Sequence, residues 1–378
     1  ANQFANGSFE NLATVVVADT SLSGSDLADA IDDANSLTGT TDTVFTITAA
    51  GTITGSEANF TDLLDDETAE QISITDQDLT VNDGEISVTN ANLLNGTTAG
   101  TVTATIDAGT RVDDLKTLNG TNAYTITIAG ADETGSTATE FNAINSATTV
   151  AIDASAVTGL ASDDIDDITT LLTAAADADQ FENGSFENLA TVVVADTSLT
   201  ATELTDAIDD ANTVTGGTDT VFTITAVDTI TGSEENFTAL LADETAEQIE
   251  ITDQNLTVNT GTISVTNANL LNGTTLGTVT AEIDAGTRVD VLKTLEGSNA
   301  YTITIDNADA TGSTATEFNT IDSATTVAVD ATAVTALASD DIDDITTLLT
   351  AAANDTKFED GSFGSLATVV VADTSLTA

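Results

Sequence analysis

An internal repeat of 177 residues constrains this chain more than any other feature. The segment Phe4–Asp19 returns as Phe181–Asp196 and begins a third time at Phe358, at the same spacing. The two full copies align without insertion or gap. An array presents one surface many times, whereas a catalytic site is normally assembled once. The repeat therefore favours a mechanical or adhesive role, and we expect no enzymatic activity.

The repeat also suggests how the chain is organised. We assign residues 1–3 to the end of a preceding unit, 4–180 to one repeat, 181–357 to a second, and 358–378 to the start of a third. No Gly/Ser-rich linker separates the copies, and the chain contains no Pro. We therefore expect a window from a longer array.

The charge balance limits the possible partners. The chain has 63 acidic and 5 basic residues, for a formal net charge of −58. Binding nucleic acid or an anionic membrane needs clusters of basic residues, but only Arg111, Lys116, Arg288, Lys293 and Lys357 are present. We expect no nucleic-acid partner and no membrane insertion. Such self-repulsion also calls for screening by salt or bound cations.

Within the first repeat, β-branched runs alternate with amphipathic stretches that carry Ser or Thr starts, among which Ser25, Thr137 and Ser162 are candidate N-caps. The predicted strands are Val15–Ala18, Val44–Thr48, Ile72–Thr75, Ile86–Thr89, Val102–Ile106, Tyr124–Ile128 and Val150–Asp153. The predicted helices are Ser25–Asn35, Ser56–Asp65, Asn90–Asn95, Thr110–Leu118, Thr137–Asn145 and Ser162–Ala174.

Strands separated by helices imply parallel neighbours joined by crossovers. We predict an α/β fold, a right-handed parallel β-solenoid with short helices between strands, similar in plan to leucine-rich repeats. The alternative is a string of immunoglobulin-like β-sandwich domains, since each repeat is about twice the length that one such domain needs.

Aspartates recur where the predicted strands end. In a parallel coil, equivalent corners stack about 5 Å apart, so their carboxylates would repel unless Ca²⁺ bridged them. The competing interpretation is that Asp simply marks each turn. The candidate Ca²⁺ ligands are Asp19, Asp76, Asp107, Asp132, Asp153, Asp196, Asp253, Asp284, Asp309 and Asp330.

Thr and Ser occupy alternate positions of several predicted strands, a layout that resembles the Thr-rich face of ice-binding solenoids. The simpler interpretation is that Thr suits the solvated face of any sheet. The pairs are Thr46 and Thr48, Ser73 and Thr75, Ser87 and Thr89, Thr103 and Thr105, and Thr125 and Thr127.

The segments Tyr124–Ile128, Thr137–Ile144 and Thr149–Val157, with their second copy in Tyr301–Val334, resemble the repeats of giant secreted and cell-surface proteins of aquatic bacteria, notably cyanobacteria. The resemblance covers most of the chain and lies in composition and rhythm. It implies export, calcium, and a role in surface coats, adhesion, motility or extracellular filaments, but it transfers no functional residue.

Together these observations predict a structural, extracellular or cell-surface repeat protein that forms a fibre, stalk or surface layer and associates with further copies of itself. The alternative is an adhesin whose Thr-rich or Asp-rich face grips ice, mineral or polysaccharide.

Overall fold

The computed structural model describes residues 8–40, 43–49, 51–129, 135–217, 219–225, 229–306 and 312–372. The chain divides into two compact units, Ala1–Val192 with Asp210–Thr220, and Val193–Asp209 with Val221–Ala378. The architecture is α/β, with parallel sheets and short helices between the strands. This confirms the predicted class and the parallel pairing.

The first repeat begins with three groups of two strands and a helix, and it continues with three groups of one strand and a helix. The strands are β1 (Thr14–Val17), β2 (Ser21–Ser23), β3 (Val44–Ile47), β4 (Thr52–Ser56), β5 (Ile72–Ser73), β6 (Asp78–Asp83), β7 (Val102–Thr105), β8 (Ala123–Thr125) and β9 (Gly159–Asp163). The helices are α1 (Gly24–Thr38), α2 (Glu57–Thr68), α3 (Val88–Thr97), α4 (Val112–Leu115), α5 (Ala138–Ala147) and α6 (Ile165–Ala175).

The second repeat contains the same series. Its strands are β10 (Thr191–Val194), β11 (Ser198–Thr200), β12 (Val221–Ile224), β13 (Thr229–Ser233), β14 (Ile249–Glu250), β15 (Asn255–Thr260), β16 (Val279–Glu282), β17 (Ala300–Thr302) and β18 (Ala336–Asp340), followed by β19 (Thr368–Val371). Its helices are α7 (Ala201–Thr215), α8 (Glu234–Thr245), α9 (Val265–Thr274), α10 (Val289–Leu292), α11 (Ala315–Ala324) and α12 (Ile342–Ala352).

Two parallel sheets organise the first unit. One has the order β1-β3-β5 and the other the order β2-β4-β6-β7-β8. In the second sheet, Leu22 pairs with Ile53, Ile53 with Leu79 and Leu79 with Val102. The last three of these side chains are fully buried, so the register places one apolar residue of each strand in a continuous core. An immunoglobulin-like sandwich would instead require antiparallel sheets.

Helix starts follow local capping chemistry. Ser56 and Asn59 form a reciprocal capping box at α2, and Thr137 and Glu140 form another at α5. The N-cap at Thr137 was predicted correctly. The predicted caps Ser25 and Ser162 are wrong, since Ser23 caps α1 and Asp164 caps α6.

One predicted strand, Ile86–Thr89, is largely helical. Ile86 makes only an isolated bridge to Ile106, and Ser87 accepts a hydrogen bond from the backbone of Asn90 as the N-cap of α3. Glu57 reinforces this cap by accepting from both the Ser87 backbone and the Asn90 side chain. The cap therefore overrides the β-branched pattern.

Strands β2, β4, β6 and β9 were missed. β2 has only three residues, and both β2 and β4 end in the serines that cap the next helix, so strand and helix signals overlap. Among the predicted strands, Val150–Asp153 survives only as bridges at Ile152 and Asp153. The predicted helix Thr110–Leu118 shortens to α4.

Phenylalanines fix the long connection after α6. Phe181 bridges to Ile152, and the Phe186 ring packs edge-on against Phe141 and Phe181, with ring centroids 5.4 and 5.3 Å apart. Phe186 adopts this position at a φ of 58°, in the left-handed region that side chains rarely occupy. Phe318, Phe358 and Phe363 repeat the cluster in the second unit, with Phe363 also at 58°.

Candidate functional surface and inter-strand contacts

The most regular outward feature of the first unit is a file of hydroxyl groups across the five-stranded sheet. Ser23 pairs with Thr54, Thr54 with Thr80, and Thr80 with Thr103, in parallel register. Neighbouring strands lie about 4.8 Å apart, so the hydroxyls repeat at that spacing. We call Ser23, Thr54, Thr80 and Thr103 the hydroxyl file.

The second repeat reproduces the file with one change of residue type. Thr200, Thr231, Thr257 and Thr280 align in the same register across β11, β13, β15 and β16. In both copies the next position is alanine, at Ala123 and Ala300. The hydroxyl surface is therefore four strands wide in each copy.

The predicted Thr pairs only partly coincide with this file. Thr103 belongs to it, and Thr105 pairs with Thr125 on the same sheet. Thr46 instead pairs with Ser73 on the sheet β1-β3-β5. Ser87 is a helix cap and Thr89 lies inside α3, so neither belongs to a strand face. The remaining file members were missed along with β2, β4 and β6.

Several of the predicted Ca²⁺ ligands make local turn contacts. Asp153 accepts hydrogen bonds from the backbone and hydroxyl of Ser155, at 3.0 and 2.7 Å. Asp330 does the same with Thr332. Asp76 accepts from the side chain of its neighbour Gln77, and Asp253 from Gln254. These bonds fit the interpretation of Asp as a turn residue.

The other predicted ligands are dispersed. Asp19 is exposed, Asp196 is half-buried at the start of the second repeat, and Asp284 accepts from Thr262. Burial, with the charges of Glu57 and Glu85, raises the pKa of Asp107. Asp132 and Asp309 lie outside the described residues.

Within the described ranges, no three Asp, Glu, His or Cys side chains form a group that would hold a metal ion. Calcium binding at the ten aspartates therefore stays a prediction.

Asparagine side chains connect successive strands and helices. Asn122 accepts from the Val102 backbone at 2.9 Å and donates to Asn95 at 2.8 Å. Asn92 donates to the Thr117 carbonyl and accepts from the Asn119 backbone. We call Asn92, Asn95 and Asn122 the asparagine ladder. Asn269, Asn272 and Asn299 make the same bonds in the second repeat.

A glycine gives the ladder its space. Gly120 adopts a φ of 77°, and a Cβ there would lie only 2.3 Å from the side-chain oxygen of Asn95. Gly297 has the same conformation beside Asn272. Any larger residue would push into the ladder. The asparagines and glycines of the ladder can be found in the sequence, but the long-range contacts between them cannot.

Charged side chains also link adjacent helices. Lys116 at the end of α4 contacts Glu140 of α5 at 2.5 Å, and Lys293 contacts Glu317 at 2.6 Å. Hydrogen bonds to Asp113 and Glu140 raise the pKa of Lys116, so it stays charged. Two of the five basic residues therefore bridge helices in an otherwise acidic surface.

One contact between a helix and the turn that follows the next helix changes both partners between copies. In the first repeat, the Asn145 amide donates to Gln180 at 2.8 Å. The equivalent positions hold Asp322 and Lys357, which form an ion pair at 3.2 Å. An amide pair has been replaced by a charge pair, and the polar contact is kept. Spatial contact between these positions explains why both residues differ together.

No family model, curated protein or solved structure matches this chain. Among the helices described, none combines the length and the apolar character that crossing a bilayer requires.

The ladder generates a stability prediction. We expect Asn122→Ala to lower the free energy of unfolding by about 1–3 kcal/mol, because the buried Val102 N–H would lose its acceptor and the Asn95 side chain would lose its donor. Asn119→Ala is the matched control, since the ladder contacts only the backbone of residue 119 and the second copy carries Glu296 there. Urea unfolding measures both variants, and equal stability of the two would contradict this role of Asn122.

The aspartate hypothesis generates a second prediction. If Ca²⁺ bridges the turns, adding EDTA at constant ionic strength lowers the melting temperature by several degrees, because a ligand that binds only the folded state is removed. Asp153→Asn combined with Asp330→Asn should reduce that difference. Scanning calorimetry in calcium and in EDTA measures it. An unchanged melting temperature would exclude calcium bridging between the aspartates and would leave them as turn residues.

Proposed function

We propose that the chain is a segment of a long, extracellular structural solenoid that forms a fibre, stalk or surface layer. The observation that carries the proposal is the recurrence of the same side-chain contacts between successive elements, 177 residues apart. The bond from Asn122 to Asn95 recurs as Asn299 to Asn272, and that from Lys116 to Glu140 as Lys293 to Glu317.

Stiffness follows from this arrangement. Each added coil pairs with the previous one through backbone hydrogen bonds, apolar packing and an asparagine contact, so a continuous coil resists bending at every step. A string of separate domains would bend at its linkers instead. The acidic surface supports an exposed, salt-rich setting, because self-repulsion of this size requires screening.

Measuring how the length of the molecule grows with the number of repeats tests the proposal. Proteins with two, three and four repeats should give small-angle scattering curves with a constant cross-section and a length that grows by about 30 Å per repeat, from six coils at ~4.8 Å. Electron micrographs of the same proteins should show straight rods. Discrete beads joined by flexible necks would contradict the solenoid.

Polymer formation tests the structural role separately from the fold. We expect the longer proteins to form ordered filaments or sheets in calcium-containing salt solution without any other component. If the chains are rods yet remain monomeric at every concentration, the solenoid would stand and self-association would be wrong.

A second candidate is adhesion through the hydroxyl file, and the regular register of that file favours it. The file places side chains at the spacing of the strand repeat, which suits a repeating ligand such as ice, a mineral face or a polysaccharide. Two of its hydroxyls also make local contacts, since Ser23 caps α1 and Thr54 donates to the Leu22 carbonyl. Thr80 and Thr103 contribute the outward hydroxyls in the middle and at the far side of the file.

We expect saturable binding to one of these surfaces, with loss of most of the binding when Thr80→Tyr and Thr103→Tyr are combined with the same change at Thr257 and Thr280, because bulky rings on both files prevent close contact. Thr61→Tyr on the exposed side of α2 is the control. Sedimentation with ice, mineral or cellulose particles measures binding. Equal binding by both variants would show that the file is not the contact surface.

A further inference from the structure

The strongest group that the proposed function does not use is a pair of aspartates between the first two helices of each copy. Asp32 lies on α1 and Asp66 on α2, and these helices pack together. In the second copy the same positions are Asp209 on α7 and Asp243 on α8. Placing two carboxylates at one helix contact is costly when both are charged.

The surroundings supply little compensation. One carboxylate oxygen of Asp243 is buried and is without a hydrogen-bond partner among the described residues. The other copy lacks even the hydroxyl that assists Asp243, because Ala28 stands where the second copy has Thr205. Both carboxyls are half-buried.

The charges that face Asp66 are all negative. They come from Asp32 on the neighbouring helix and from Asp62 and Asp65 on its own. The other elements packed against α2, which are β4, β5 and α3, carry no ionisable side chain. Around Asp243 the facing charge is Asp209. Of the strands that contact α8, β13 has no ionisable group and β14 has only the exposed Glu250.

The acidic surroundings of the aspartate pair differ between the two copies, whereas the pair itself is kept. Asp62 and Asp65 become Ala239 and Ala242 in the second repeat. The Asp32–Asp66 arrangement nevertheless reappears as Asp209–Asp243. The pair is thus independent of the number of acidic neighbours on the helix.

We propose that each aspartate pair is a proton-operated clamp, in which uptake of one proton at Asp66 or Asp243 relieves the repulsion between the first two helices and tightens that copy. This adds pH regulation to the proposed array but does not depend on the array being a fibre. The folded state of a repeat protein with such clamps becomes more stable at mildly acidic pH.

The direction of the pKa shift agrees. Burial, followed by the charge of Asp32, raises the pKa of Asp66 to about 6, and burial with Asp209 raises that of Asp243 to about 6. Because the folded-state pKa lies above the unfolded value, the stabilisation is fully present below the ordinary pKa of Asp. It is lost as the pH rises through 6.

Unfolding of the whole chain in urea, with EDTA at fixed ionic strength, tests the clamp. We expect acidification from about pH 7.5 to about pH 5 to raise the ratio of folded to unfolded protein by about tenfold for each clamp. Asp66→Asn combined with Asp243→Asn should remove that gain and be more stable than the wild type at the higher pH. Glu67→Gln combined with Glu244→Gln is the control, because it makes the same charge change on the same two helices.

Carboxyl carbon NMR of the unmodified chain gives a direct second readout. Asp66 and Asp243 should titrate between about pH 5 and 7, above the usual range for an aspartate side chain. Titration of both near the usual value for Asp, or an equal loss of pH dependence in the control variant, would overturn the proposal. These outcomes leave the rod and polymer measurements untouched, so the two proposals fail separately.

Discussion

The rest of the structure depends on in-register parallel pairing between short strands. Each strand has two to six residues, so the backbone bonds of any one pair are few. Stability comes from repeating the same register, which stacks Ile53, Leu79 and Val102 into one core. Because a slip by one residue would turn that core outward, every polar contact that fixes the register matters.

The asparagine ladder and the lysine bridges supply that fixing. An asparagine side chain carries both a donor and acceptors, so Asn122 satisfies a strand N–H on one side and a helix-borne amide on the other. A hydrophobic residue at position 122 would leave the Val102 N–H without its acceptor. The acidic surface adds the opposite influence, since it weakens compaction unless salt, cations or protons reduce it.

The sequence predicted the class, the parallel pairing, the position of most helices and the cap at Thr137, because apolar period and capping residues act locally. It failed where one residue served two elements. Ser23 and Ser56 close a strand and cap a helix, so β2 and β4 were hidden. The hydroxyl file was hidden with them, since it exists only through the register of four strands. Aspartates such as Asp153 were ambiguous for a different reason, because Asp is both a common turn residue and a common metal ligand.

The exchange of the amide pair Asn145–Gln180 for the ion pair Asp322–Lys357 has a consequence for assembly on the ribosome. Nearly identical copies can trade segments while they fold, which traps multidomain and repeat proteins in entangled forms. A traded segment would bring Lys357 against Asn145 and leave Asp322 facing an uncharged glutamine. This mismatch makes contacts between segments of different copies less favourable than the matched contacts. Each segment therefore pairs preferentially with its neighbour in the same copy.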